Sequence, residues 1–311
     1  MQLSIIIPIY NEEPNINTLY DRVKKVCTEI TPDHELLFIN DGSRDRSILL
    51  IHELSKKDSH VKYINFSRNF GHQVAVMAGI DNVSGEAIVI IDADLQDPPE
   101  LIIPMYRKMQ EGYEVVYAKR RSRAGEGFLK KFTAGLFYRV LAKITSINIP
   151  VDTGDFRIIH RKIAEVLRLM PEQQKFLRGQ ISWIGFKQTY IEYDREVRHG
   201  GETGYTYKKM IRLALDGITS YSNLPLKFAT FAGFIVAGAT FITILYALYS
   251  RFITGDVVPG WTSLILAILF IGGIQLICIG IIGEYISRMS ANIRNRPLYI
   301  INDTNLPERD K

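Results

Sequence analysis

The sequence predicts an α/β fold: a mostly parallel sheet domain followed by two long apolar helices. Three observations carry this. Short runs rich in Ile and Val alternate with amphipathic stretches up to about Glu114. Polar clusters follow the apolar runs directly, and two stretches without a charged side chain lie near the C-terminus.

The apolar runs are "LSIIIPIY", "ELLFIND", "VKYINFS", "AIVIIDAD" and "EVVYAKR". Near-continuous apolar strands are what a sheet covered on both faces requires. Between them, Ile16–Ile30, Ser47–Lys57, Phe70–Val83 and Pro99–Glu111 have helical periodicity, giving βαβ units. Such a sheet offers its ligand crevice at the carboxyl ends of the strands. The polar clusters Tyr10–Glu13, Asn40–Asp45, Ser67–Asn69 and Asp92–Asp97 fall at those ends. Gly127–Ile147 is helical in pattern, "VDTGDFRIIHRK" a loop entering a helix, and "WIGFKQTYIEYDRE" one or two strands. "RHGGETGYTYKK" is a glycine-rich basic loop. Tyr205–Tyr221 alternates Lys208, Lys209 and Arg212 with apolar residues. That pattern suits a membrane surface, although taken by itself an ordinary surface helix is the better reading.

Phe228–Ser250 and Val257–Gly283 contain no charged side chain. Each exceeds the roughly 20 residues that cross a bilayer core. Buried core helices are the alternative; length, adjacency and flanking aromatic or charged residues favour membrane spans. The short "RFITGDVVPG" joins them as a hairpin, so both chain ends share one side. Lys208, Lys209, Arg212 and Lys227 precede the first span and Arg288, Arg294 and Arg296 follow the second, while the connection carries only Arg251. The positive-inside rule then puts both termini and the sheet domain in the cytoplasm. The expected organisation is residues 1–200 as the sheet domain and 201–224 as loop and interfacial helix. Residues 225–285 hold the spans, at about 228–250 and 259–283, and 286–311 a cytoplasmic tail.

A net charge of +5 and a pI near 9.0 admit nucleic acid, anionic lipid or a phosphorylated substrate as partner. No feature of the sequence marks a nucleic-acid site. Cys27 and Cys278 stand in unlike contexts, which argues against a disulfide framework or a cysteine metal site. "MQLSIIIPIYNEE" lacks the basic start and long apolar core of a signal peptide.

"IVIIDADLQDPPE" poses the chemical question. On an extended strand Asp92, Asp94 and Gln96 share a face. Two carboxylates and an amide oxygen are hard ligands that suit Mg²⁺ or Mn²⁺ bridging to a diphosphate. The alternative is a solvated loop with Asp97 as helix N-cap and Pro98 at the first helical position; it leaves the paired acids unexplained. Asp41 and Glu12 could accept hydrogen bonds from a base or ribose, although Asn40–Ser43 also reads as a turn and helix cap.

Together "SIIIPIYNEE", "INDGSRD", "DADLQDPPE", "GDFR", "LPLK" and "GEYI" resemble the inverting family 2 glycosyltransferases of GT-A fold. The likeness is to polyprenyl-phosphate glycosyltransferases of the dolichyl-phosphate mannose synthase type, and within them the bactoprenol glucosyltransferase subgroup. The resemblance implies transfer of a sugar, glucose first, from a UDP-sugar to polyprenyl phosphate at a membrane-lipid surface. It implies that Pro8, Tyr10, Glu12, Asp41 and Asp92 line the nucleotide pocket. Asp92, Asp94 and Gln96 would hold the metal, Mg²⁺ or Mn²⁺. Asp155 and Arg198 would be catalytic, Asp155 as a candidate base or orienting group. Arg120, Arg121, Lys208 and Lys209 would contact acceptor or donor phosphates. Gly204 stands where the family's loop carries lysine, which leaves that phosphate contact to Lys208 or Lys209. Other donors (UDP-GlcNAc, a formamido-arabinose nucleotide, GDP-mannose) and a homo-oligomer stay open. A processive synthase fits less well, because "QQKFLRGQISW" departs from that group's pattern. A non-enzymatic nucleotide-binding membrane module is the remaining alternative.

Overall fold

The computed structural model describes residues 1–121, 153–194, 222–249, 252–253 and 260–307. The expected helix at 127–147, the glycine-rich loop and the basic interfacial helix lie outside the described residues. So do Arg198, Gly204, Lys208 and Lys209.

Elements follow in the order β1 (Leu3–Ile9), α1 (Ile16–Ile30), β2 (His34–Asn40), α2 (Ser47–Lys57), β3 (Val61–Phe66), α3 (His72–Asn82) and β4 (Ala87–Ile90). A 3₁₀ turn at Pro99–Leu101 leads into α4 (Ile102–Gln110), then β5 (Val115–Arg120). Further on come β6 (Thr153–His160), α5 (Arg161–Leu169), α6 (Leu177–Ile184) and β7 (Gln188–Tyr193). The chain ends in α7 (Leu224–Tyr249), α8 (Trp261–Ile293) and β8 (Ile301–Thr304). Two compact units result: the sheet unit, to which residues 296–311 belong, and the α7–α8 unit.

In the sheet unit the strand order is β7-β5-β6-β4-β1-β2-β3-β8. β1, β2, β3 and β4 pair in parallel, as does β5 with β7, whereas β6 and β8 run antiparallel to their neighbours. The mostly parallel α/β sheet read from the sequence is present. Ile5, Ile7 and Ile9 face a core closed by α1, α2 and α4, while Ile6, Leu37 and Ile39 face α3, α5 and α6. Cover on both sides is why β1 and β2 have no polar alternation. At one contact α3 lies so near β1 that a Cβ on Gly79 would stand 2.3 Å from Ile6 Cγ2.

Three local readings need correction. "TGDFRIIH" is β6 rather than a loop; its polar start hid the "FRII" run that slots between β4 and β5. Asp97 is not a helix N-cap: Pro98 occupies that position, Pro99 follows at the first helical position, and Asp97 is buried. Residues 286–311 are not merely a tail, for α8 continues to Ile293 and β8 adds an antiparallel strand to the β3 edge. Ile-Asn-Asp-Thr, with one apolar residue in four, carries too little apolar pattern to announce a strand.

In the other unit, α7 and α8 pair as an antiparallel hairpin. Cys278 Sγ donates to Ala229 O at 3.6 Å, and Tyr285 Oη to Ser222 O at 2.6 Å. Both helices are long and apolar enough to cross a membrane, with 6% and 0% of the residues in their most apolar windows buried. A core helix of a soluble domain would be mostly buried, so this exposure fits lipid contact. The 33 residues of α8 span about 50 Å, more than the hydrocarbon core needs. The excess lies past Gly283, where Arg288 Nε pairs with Glu284 Oε1 at 3.0 Å.

Candidate active site

The strand order reverses at β1, which lies between β4 and β2, so the ligand crevice of this sheet opens beyond the β1 and β4 carboxyl ends. Pro8 helps make it. Ile6 O accepts the last β4-side bond, from Ile91 N at 3.1 Å. Two residues on, Pro8 turns its nitrogen to the same side, where β4 has stopped, so its missing N–H costs no ladder bond. Pro8 is buried within β1 and shapes the crevice through the backbone.

Tyr10 emerges 45% exposed at the rim. The loops after β1 and β2 then interlock. Asn11 N donates to Ser43 Oγ, Glu12 N to Ser47 Oγ, Glu13 N to Asp45 Oδ2, and Arg44 N to Asn11 Oδ1. Glu12 Oε2 itself accepts from Asn15 Nδ2 at 2.6 Å. Beside them lies a cavity of about 380 Å³ lined by Tyr10, Asn40, Gly42, Asn65, Ser67 and Arg68, among others. Gly42, with φ +65°, passes so close to the β3 end that a Cβ would sit 2.4 Å from Arg68 C. Asp41 is buried, and its two oxygens accept from Phe70 N at 2.6 Å and Gly71 N at 2.9 Å, at the start of α3. Burial pushes its pKa up despite those two bonds. In this structure the carboxylate anchors the loop that delivers His72.

The acidic edge is not extended. β4 ends at Ile90, the chain turns, and Leu95 takes φ 57°, a left-handed value that a branched residue adopts only when its surroundings impose it. Leu95 is buried in the core, which supplies that imposition. Burial still alternates: Asp92, Asp94 and Gln96 are partly exposed, while Ala93, Leu95 and Asp97 are buried. Asp94 Oδ1 accepts from Gln96 N at 3.2 Å. Burial, with Asp155, Asp97 and Asp94 nearby, pushes Asp92 up to about 6 although His72 opposes the shift.

Asp155 stands at the centre of a cationic cluster. Its Oδ1 accepts from Arg157 Nη2 and Arg178 Nε, each at 3.0 Å. His72 Nε2 lies 3.4 Å from Asp155 Oδ2 and 3.6 Å from Asp92 Oδ1, bridging the two carboxylates. Burial works against the charged imidazole, yet Asp92 and Asp155 hold His72 up at about 9. Burial likewise opposes ionisation of Asp155, but Arg178, His72 and Arg157 keep its carboxyl well below the usual carboxylate range. Arg157 is 1% exposed, a buried charge that Asp155 compensates.

Arg120 and Arg121 part company. Arg120 is half-buried, 4.0 Å from Asp97 Oδ1, and its Nε donates to Tyr193 Oη at 3.4 Å. The Tyr193 hydroxyl donates to Asp97. Arg121 points outward, pairing with the exposed Asp194 at 3.2 Å. His72, Arg157 and Arg178 are site residues that sequence reasoning passed over. Arg157 had a readable signal: two residues beyond Asp155 on a strand, it shares its face.

Residues 4–168 match glycosyl transferase family 2, and residues 224–289 match the GtrB C-terminal hairpin. The chain belongs to glycosyl transferase family 2. This family 2 glycosyl transferase is 51% identical to the uncharacterized glycosyltransferase YkcC of Bacillus subtilis, over 97% of this chain and 93% of the relative. It is 42% identical to the prophage bactoprenol glucosyl transferase homolog of Escherichia coli, over 97% and 98% of the two chains. It is 41% identical to the bactoprenol glucosyl transferase of Shigella phage SfII, over 97% of each. In this family 2 glycosyl transferase the Asp92–Asp94 turn stands beyond the carboxyl end of β4, on the crevice side of the sheet.

Proposed function

We propose that this glycosyl transferase moves glucose from UDP-glucose to a polyprenyl phosphate, with inversion at the anomeric carbon, at the cytoplasmic face of a bacterial membrane. The observation that carries the reading is the cationic cluster around Asp155, next to the Asp92–Asp94 turn, in a chain that ends in an exposed apolar hairpin. Around Asp155, two arginines and a protonated His72 converge on one carboxylate, and His72 also reaches Asp92. Arg178 and His72, both partly exposed, present charged N–H groups that can meet an anionic nucleophile. The same contacts make Asp155 a poor base, and His72 already carries its proton. A hydroxyl acceptor would need a general base here; a phosphate oxygen, anionic at neutral pH, does not.

In the reaction an acceptor phosphate oxygen forms a bond to the sugar's anomeric carbon from the face opposite the UDP. The carbon–oxygen bond to the β-phosphate breaks, and its electron pair leaves with UDP. Tyr10 would lie against the uracil ring, and Arg178 with His72 would orient the acceptor phosphate. Asp155 holds both cations in place. Arg120 braces Asp97 and Tyr193 behind the acidic turn, while Arg121 belongs to the surface. Arg198, Lys208 and Lys209, from the glycine-rich loop and basic helix, remain candidates for further phosphate contacts.

Asp92, Asp94 and Gln96 fit a hard divalent ion, Mg²⁺ or Mn²⁺, held jointly with the diphosphate. Among the described residues no three His, Cys, Asp or Glu side chains gather into a metal cluster, so donor phosphate and water would complete the shell. Burial and the neighbouring acids push Asp92 up to about 6, and a bound cation would offset both by favouring the carboxylate. Such an ion supplies Lewis acidity to the departing diphosphate.

The arginine and lysine distribution around α7 and α8 supports two spans with both termini cytoplasmic. The test is a donor panel. Purified full-length protein in detergent, with undecaprenyl phosphate, should move label into the organic phase from UDP-glucose. UDP-GlcNAc, a UDP-formamido-arabinose and GDP-mannose should leave it in water. A stronger signal from another donor would replace glucose; no lipid-phase label from any donor would remove the transferase reading.

A further inference from the structure

The cavity beside Tyr10 has one wall that depends on the far end of the chain. β8 pairs with β3 so that Asp303 stands opposite Asn65 and Thr304 opposite Ile64. Ser67, at the cavity rim, donates its N–H to Ile300 O at 3.0 Å. Tyr299 stacks on Phe66 with ring centroids 5.1 Å apart.

A directional relay runs inward from Asp303. Burial opposes ionisation of its carboxyl, but hydrogen bonds from Asn65, Asn302 and His52 hold it below the ordinary value. A carboxylate can only accept, so Asn65 turns its Nδ2 to Asp303 Oδ1, at 2.5 Å. Asn65 Oδ1 must then face Asn40, whose Nδ2 donates to it at 2.8 Å. That leaves Asn40 Oδ1 buried without a hydrogen-bond partner among the described residues. Both asparagines line the cavity. An unsatisfied buried acceptor is costly, and an N–H or O–H of a bound nucleoside, directly or through a water, would meet it.

We infer that β8 is part of the donor-nucleotide site, with Asp303 as the positioning residue that sets which way Asn65 and Asn40 present their amides to a uridine nucleotide. This rests on the reading of the cavity as the donor's. The strand that follows the second apolar helix thereby belongs to donor recognition as well as to the sheet edge.

Full-length protein in detergent tests it, with UDP binding followed by calorimetry, alongside KM, kcat and the thermal midpoint. Asp303→Leu, which cannot accept, should weaken UDP binding and raise the donor KM about five- to ten-fold, the effect of one lost hydrogen bond. Its kcat and acceptor KM should stay near wild type. Asp303→Asn can still accept from Asn65 and should restore donor KM to within about two-fold. Unchanged UDP binding in Asp303→Leu overturns the inference. So does an equal loss of kcat, both KM values and thermal midpoint without rescue by Asp303→Asn, since that marks a strut. Wild-type protein that fails to bind UDP would instead remove the donor reading of the cavity.

Discussion

Asp92→Asn should reduce turnover about 10²–10³-fold, the scale on which removing one charge-stabilising group acts on a transition state. The prediction follows from where Asp92 sits. It lies at the β4 exit, 3.6 Å from His72 and among Asp94, Asp97 and Asp155. Asp155 and Asp97 have partners in the fold, Arg157 and Tyr193, whereas Asp92 adds a further carboxylate beside them, and Asn at position 92 lessens that repulsion. The variant should therefore fold at least as well as wild type while failing in transfer. Chelation by EDTA should reproduce the loss in wild type, and added Mn²⁺ or Mg²⁺ should reverse it there. If Asp92→Asn turned over normally, or EDTA had no effect, the acidic turn would have no part in holding the diphosphate. Steady-state kinetics with a thermal midpoint separates these outcomes.

Asp155→Asn should be damaging in a different way. Asp155 neutralises Arg157, which is 1% exposed, and anchors Arg178. Losing one partner of a buried pair costs about 3–5 kcal/mol, so this variant should unfold earlier and lose most activity. The folded pKa of Asp155 is depressed below the unfolded value of about 3.9. Its stabilising contribution is thus complete above that value and is lost as pH falls through the folded pKa. Arg178→Gln makes the cleaner probe of chemistry. It keeps Asp155 and Arg157 paired, and should raise the acceptor KM and lower kcat while leaving UDP binding intact. An Arg178→Gln enzyme with normal acceptor kinetics would remove Arg178 from the acceptor site. In wild type, Asp155 should contribute no acid limb to the pH–rate profile, because it stays ionised below the usual carboxylate range and does not act as base; an acid limb should come from Asp92, pushed up to about 6.

The α1 and α2 bounds were legible from their amphipathic periodicity, and β1, β2 and β4 because burial on both faces leaves an almost unbroken apolar code. The acidic turn was legible because paired acids behind such a strand have no packing purpose. What the sequence concealed is instructive in physical terms. β6 was missed because its polar end, Gly154–Asp155, carries the site. β8 was missed because four mostly exposed residues need a partner edge, which the folded β3 supplies. The Asp41 carboxylate was expected to face a ligand, yet unpaired backbone amides at Phe70 and Gly71 claim it. His72 and Arg178 come from helices distant in sequence, and only the packing of α3 and α6 on one sheet face brings them to Asp155.

The most direct measurement of the account is acceptor choice. Purified full-length protein with labelled UDP-glucose should be offered undecaprenyl phosphate or undecaprenol under identical conditions, with lipid-phase label followed over time. A site that gathers cations and lacks a usable base predicts label on the phosphate and none on the alcohol at any pH below about 9, where His72 keeps its proton. Comparable transfer to undecaprenol would contradict it, since the hydroxyl would need a base that Asp155, held by Arg157 and Arg178, does not provide.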